Sequence, residues 1–138
     1  FCAGSFSAGE HNDCVAMAKQ FADRTHFVHL RSCYIFPNGN FTEASHLGGR
    51  GHLIDLCRIF EKAEQEGKCN SGRRLPMRVD HGMTFTDEPG GVFDESNHGH
   101  NAGYTLLGRM FAMGQIQGVI ATVDDELGIE YKQPGFYD

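Results

Sequence analysis

His26-Phe27-Val28-His29-Leu30-Arg31 is the stretch on which the reading of this chain turns. Its period of two places Phe27, His29 and Arg31 on one strand face and His26, Val28 and Leu30 on the other. A second segment, Leu75-Pro76-Met77-Arg78-Val79-Asp80, repeats the pattern, with Arg78 and Asp80 opposite Met77 and Val79. Both segments therefore read as strands with one apolar face and one face that carries ionisable groups. Polar side chains on an otherwise buried strand imply an interior that is kept polar for a reason.

Working outward, the intervening segments change from period two to helical spacing. Val15, Met17, Ala18 and Phe21 behind Asn12-Asp13 predict a first helix over Asn12–Arg24. Leu53, Ile54, Leu56, Cys57 and Phe60 predict a second, fading at Gly67. Leu106, Leu107, Met110, Phe111, Met113 and Ile116 predict a third after Tyr104, with Gly114 and Gly118 weakening its end. The acidic, aromatic tail from Asp124 to Asp138 carries no assignment. With Phe1-Cys2 read as a strand end, the order is strand end, helix, strand, helix, strand, helix. That alternation gives an α/β fold with parallel strands and helical crossovers. Two long connections, Ser32–Gly51 and His81–Gly103, read as loops leaving the carboxyl ends of the strands, the edge at which such folds bind ligands.

Composition narrows the function classes. The chain has 138 residues, 40% of them hydrophobic, which is enough for a packed core of one domain or part of one. A net charge of −6 gives no electrostatic reason to expect a nucleic-acid partner, and the one dense basic cluster is Arg73, Arg74 and Arg78. No apolar stretch is expected to approach the ~18 residues of a membrane span, and the first residues lack a signal-peptide layout, so a cytoplasmic protein without a membrane partner is expected. Five cysteines without a Cys-x-x-Cys pair fit reduced thiols better than a disulfide framework or a zinc ribbon. No phosphate-binding loop, dinucleotide fingerprint or nucleophile elbow occurs, and Gly48-Gly49-Arg50-Gly51 reads as a plain loop. The opening at Phe1, inside a strand end, is read as a sign of a fragment or a processed piece.

Three residues with metal-ligand chemistry fall at or near the three strand ends: Cys2, His29 and Asp80. Parallel strands bring their carboxyl ends side by side, so these three could share one ion. A thiolate, an imidazole and a carboxylate suit manganese, iron or zinc better than magnesium or calcium. The plainer alternative for each stays open: a strand-end cysteine is often a small core residue, and a lone histidine or aspartate is often a satisfied structural group. Arg31 and Arg78 could bind a substrate carboxylate through paired N–H donors, or serve as structural ion-pair partners. His81, directly after Asp80, is an acid/base candidate or a group that orients a ligand. Tyr104 is a packed aromatic or a proton-transfer phenol. His46, His52, His98 and His100 lie in or beside the long connections, and His46 is the candidate among them for substrate contact.

Five segments together carry a resemblance: Phe1-Cys2-Ala3-Gly4-Ser5 with Asn12-Asp13, then His26 to Arg31, Phe41-Thr42-Glu43-Ala44-Ser45-His46-Leu47, Pro76-Met77-Arg78-Val79-Asp80-His81-Gly82, and Gly103-Tyr104-Thr105-Leu106-Leu107-Gly108-Arg109. In this order, up to about Gly118, the chain resembles the mannonate dehydratase family. The resemblance implies a (β/α)8 TIM barrel like that of xylose isomerase, of which residues 1–138 would be the last three strand-helix units. It implies loss of water from D-mannonate to give 2-keto-3-deoxy-D-gluconate in hexuronate breakdown, with Mn2+ or Fe2+. By motif position Cys2, His29 and Asp80 match metal ligands, and His81 and Tyr104 match residues implicated in catalysis. A further histidine ligand of the family would lie upstream of Phe1. The chain departs from the family pattern at Met83-Thr84 and Ala102, which bears on loop conformation and substrate choice. A sugar-acid substrate and a homo-oligomer are expected. A metal-dependent sugar isomerase or epimerase on the same barrel, or a non-catalytic metal-binding remnant, are the rival expectations.

Overall fold

The computed structural model describes residues 1–85 and 103–131. His98, His100 and Ala102, most of the 81–103 connection, and residues 132–138 of the tail lie outside them. Among the described residues four α-helices, α1 (Ala3–Ser7), α2 (Cys14–Phe21), α3 (Leu53–Gln65) and α4 (Leu106–Leu127), accompany four short strands, β1 (Val28–His29), β2 (Cys33–Ile35), β3 (Phe41–Glu43) and β4 (Met77–Arg78).

β1 and β4 pair in parallel, Val28 opposite Met77 and His29 opposite Arg78, and Cys2 adds a parallel bridge to His29. The ladder extends past the named strands, since Val28 N–H donates to Pro76 O, His29 N–H to Phe1 O and Leu30 N–H to Arg78 O. Cys2, β1 and β4 therefore form three parallel strand ends side by side, as the alternation predicts. The two-residue period holds: Val28 and Leu30 are fully buried while Phe27 is 41% exposed and His29 half-buried.

The helices cover the apolar side of these strands. α2 starts where Asp13 accepts a bond from Ala16 N–H at 2.9 Å, one of the donors a helix start leaves unpaired. α3 buries Leu53, Leu56, Cys57, Phe60 and Ala63, a stripe at i, i+3, i+4, i+7 and i+10 that packs with Val28, Leu30 and Leu75. The core thiols Cys14, Cys33, Cys57 and Cys69 are buried, and burial pushes each thiol up, Cys57 to about 12, so they behave as small apolar residues. Cys2 is the one cysteine left partly open.

Two expectations are corrected. First, the 32–51 connection is not a plain loop, because β2 and β3 pair within it as an antiparallel hairpin, Cys33 opposite Glu43 and Ile35 opposite Phe41. Second, α4 runs through Gly114 and Gly118 to Leu127. It stops at Gly128 (φ +68), whose N–H and that of Ile129 return to the Asp124 and Asp125 carbonyls, a left-handed cap open to glycine. This 22-residue helix, of mean hydropathy 1.2, is long and apolar enough by length and composition alone to pass for a membrane span, a test the core helix of a soluble protein also passes. Of its buried residues Gly108, Ala112, Ile116, Val123 and Asp124, the apolar Ala112, Ile116 and Val123 join the core that α3 also lines, while Gly108 lies against the Met83 carbonyl.

Candidate metal centre and acid/base site

The register of the parallel strands builds the site. Cys2, His29 and Arg78 are lateral neighbours in one row, so their side chains share a face, and Asp80 lies two residues beyond Arg78 on that face. Ligand atoms of Cys2, His29 and Asp80 all lie within 4.8 Å of one another. Asp80 Oδ2 is 3.6 Å from His29 Nδ1, and Ser5 Oγ donates to Cys2 Sγ at 3.2 Å. Cys2, His29 and Asp80 would hold one ion between them, and their mixed S, N and O donors would suit a borderline transition metal. Asp80 itself is 5% exposed and adopts a left-handed backbone, φ +52.

The acid/base candidates lie beside Asp80, Tyr104 in contact with it and His81 against Tyr104. Tyr104 donates its phenol O–H to Asp80 Oδ1 at 3.0 Å, and the His81 ring lies against the Tyr104 ring, tilted by 55° at 4.2 Å between centroids. Tyr104 reaches this place because three glycines bring two turns together. A Cβ on Gly82 would collide with the Gly108 carbonyl, and one on Gly103 (φ +83) with the Gly82 carbonyl, while Gly82 N–H donates to Gly103 O at 2.8 Å. Burial first, then the bond to Asp80 and its negative charge, push the Tyr104 phenol up, so it keeps its proton at neutral pH. Arg109 lies over the outer side of the Tyr104 ring at 5.6 Å.

The two arginines part company. Arg78 remains 43% exposed at its side chain, with Nη2 3.5 Å from Asp80 Oδ1. Arg31 is 13% exposed and committed to Glu43, with Nε to Oε2 at 2.8 Å and Nη2 to Oε1 at 2.5 Å. Of the two readings open for it, the structure displays the ion pair. It lies across α1 where a Cβ on Gly4 would meet its side chain. His46 is 1% exposed, and its Nε2 sits 2.8 Å from Val79 O while its backbone N–H donates to Gln115 Oε1, so it ties the hairpin to β4 and α4 from the buried side. His52 is exposed at the start of α3.

Sequence reasoning missed Glu43. Its side chain is 9% exposed, grips Arg31 with both oxygens, and brings Oε1 to 3.5 Å from His81 Nδ1. The signal was present: Asn38-Gly39 between Cys33-Tyr34-Ile35 and Phe41-Thr42-Glu43 marks a hairpin, which would have aimed Glu43 back at Arg31. A cleft of about 540 Å³ lined by Phe1, Cys2, Phe27 and His29 among others opens along the outer edge of the site.

The fold and site are those of an α/β protein with a candidate metal-binding set, Cys2, His29 and Asp80, at the carboxyl edge of parallel strands and the acid/base candidates His81 and Tyr104 beside it. A family model for D-mannonate dehydratase (UxuA) matches residues 1–129, and the chain belongs to that family. It is similar to mannonate dehydratase 2 of Agrobacterium fabrum, 38% identical over 128 residues, covering 91% of this chain and 30% of the relative. It is also similar to mannonate dehydratase of Saccharophagus degradans, 36% identical over 125 residues, covering 89% of this chain and 30% of the relative. Its fold matches the crystal structure of mannonate dehydratase from Streptococcus suis serotype2 with a TM-score of 0.67 at 19% identity, over 99% of this chain and 36% of that one. The chain thus spans about 30% of the length of the curated relatives it matches.

Proposed function

We propose that this chain serves a D-mannonate dehydratase, a hydro-lyase that removes water from D-mannonate to give 2-keto-3-deoxy-D-gluconate in hexuronate breakdown. One observation carries the reading beyond family membership: the thiol, imidazole and carboxylate of Cys2, His29 and Asp80 converge within 4.8 Å, and Tyr104 donates to that carboxylate with the His81 ring against its own. The chain is proposed to form the last three strand-helix units of a (β/α)8 barrel. Three parallel strand ends with helices on one side support this, and three units of eight are about 38% of a barrel, close to the 36% covered in the solved structure.

In this reading Cys2, His29 and Asp80 hold Mn2+ or Fe2+, which supplies positive charge next to the substrate oxygens that become negative in the reaction. Arg78, exposed beside Asp80, is the cation placed to meet the sugar-acid carboxylate. Arg31 supports the site through Glu43. Loss of water needs one group to take the proton next to the carboxylate and one to protonate the departing hydroxyl. His81 and Tyr104 share these transfers. A homo-oligomeric, cytoplasmic enzyme acting on a small sugar acid completes the proposal.

Incubating the full-length protein with D-mannonate and Mn2+ tests it. Formation of a keto-deoxy acid is expected, and Tyr104→Phe and His81→Asn should each lower kcat by about 10²–10⁴. An isomerised or epimerised sugar acid without loss of water, or near-normal rates in both variants, would sink the reading.

A further inference from the structure

We propose that His46 is a positioning residue for Asp80, holding the peptide that sets the Asp80 backbone and so the place of its carboxylate; this rests on the metal reading of Cys2, His29 and Asp80 for one of its two measurements. Asp80 stands at φ +52, a conformation that a residue with a side chain adopts only where its surroundings impose it. In that conformation the carboxylate reaches two neighbours, Oδ2 lying 3.6 Å from His29 Nδ1 and Oδ1 accepting from Tyr104 O–H at 3.0 Å.

The parallel ladder shows what imposes it. The Pro76 and Arg78 carbonyls accept from Val28 and Leu30 N–H, so the Val79 carbonyl, one residue on, points to the opposite edge. There it meets His46 Nε2 at 2.8 Å, and the histidine is 1% exposed. A carbonyl only accepts, so Nε2 is the donor. Because the peptide unit is planar, turning the unit between Val79 and Asp80 changes ψ of Val79 and φ of Asp80 together. Holding the Val79 carbonyl therefore holds Asp80 in its left-handed conformation. His46 is itself anchored: its backbone N–H donates to Gln115 Oε1 at 3.1 Å, and Gln115 Nε2 donates to Ser45 Oγ at 3.1 Å. The end of β4 is thus gripped twice, by Tyr104 at the carboxylate and by Gln115 and His46 at the peptide before it. His46 Nδ1 is buried and makes no hydrogen bond among the described residues, so a single donor accounts for the polar contact of this side chain.

Two variants of the full-length protein separate the donor from the volume it fills. His46→Gln keeps an N–H2 donor at similar reach, and His46→Met has like length and no donor. Hydrogen exchange of the metal-free protein is the first measurement. His46→Met should speed exchange about tenfold or more in the peptide covering residues 77–83, where Gly82 N–H donates to Gly103 O, and by less than about twofold in α2 and α3. His46→Gln should stay within about threefold of wild type throughout. Mn2+ binding is the second measurement: His46→Met should raise the Kd about 10–100-fold, and His46→Gln should leave it within about threefold. Exchange over 77–83 unchanged in His46→Met, acceleration spread equally over α3, an unchanged Mn2+ Kd in that variant, or equal losses in His46→Gln would each overturn the inference. Should His46→Met not fold, Gln115→Met takes its place, loosening the anchor while leaving the donor. Exchange over 77–83 should then rise about threefold or more, and no rise would overturn the inference. A wild type that binds no Mn2+ would remove the metal reading and leave the exchange comparison to decide this one.

Discussion

Cys2 is the residue whose chemistry separates this site from an ordinary strand end, since the other four cysteines are buried core groups. Replacing it by serine trades a soft thiolate for a weakly acidic hydroxyl, and metal content of the purified full-length protein should fall at least tenfold at equal metal concentration. Retention of stoichiometric metal in Cys2→Ser would remove it from the ligand set. Asp80 needs a more careful probe. At φ +52 the backbone tolerates aspartate and asparagine far better than alanine or glutamate, so Asp80→Asn removes charge without adding strain of roughly 1 kcal/mol. The juxtaposition of Cys2, His29 and Asp80 was legible because strand period and parallel order are local signals. The division of labour between Arg31 and Arg78 was not, because it depends on Glu43, which reaches Arg31 through a hairpin built from three-residue strands.

Elements were legible in proportion to their length and to how much they bury. α3 buries Leu53, Leu56, Cys57 and Phe60 of its predicted stripe, leaving Ile54 exposed and adding Ala63, and α2 follows its Asp13 cap. α4 shows why a glycine is not a stop by itself. Gly114 and Gly118 each cost about 1 kcal/mol relative to alanine, but the helix continues because Ile116 and Val123 bury against α3 and Arg58 pairs with Glu126 at 2.8 Å. The α3–α4 contact also carries a pH dependence. Burial first, then the nearby Asp124 charge, push the Glu61 carboxyl up to about 7. Its folded value lies above the ordinary 4.5, so the neutral form is favoured by folding. The contribution is full below about pH 4.5 and is lost as pH rises through 7. Thermal unfolding of the full-length protein at pH 5 and pH 8 should show lower stability at pH 8, and Glu61→Gln should recover on the order of 1–2 kcal/mol there after allowance for partial exposure. An unchanged pH profile in Glu61→Gln would place the dependence elsewhere. In the turn before α4, Gly103→Ala should cost at least about 2 kcal/mol and displace Tyr104, because positive φ and the Gly82 carbonyl both oppose a side chain.

At the scale of the molecule the chain buries one side of its helices and leaves much apolar surface open. Leu106 is 74% exposed and Met110 55%, and among the described residues the β1–β4 sheet has just two strands. Such surface needs a partner. Residues 1–138 expressed alone should elute in size-exclusion chromatography as an associated species, and a stable monomer with sharp thermal unfolding would contradict that. This surface was only partly legible, because periodicity finds a helix without saying which face stays uncovered. The row Cys2–His29–Arg78 has a thermodynamic consequence of its own. Its members are brought together only when three strands adopt one register, and a slip of one residue would turn His29 to the opposite face. An ion bound there is therefore a clasp on the assembled chain. At one hundred times its dissociation constant it would favour the folded state by about 2.7 kcal/mol, so occupancy of the centre and integrity of the sheet should rise and fall as a single equilibrium.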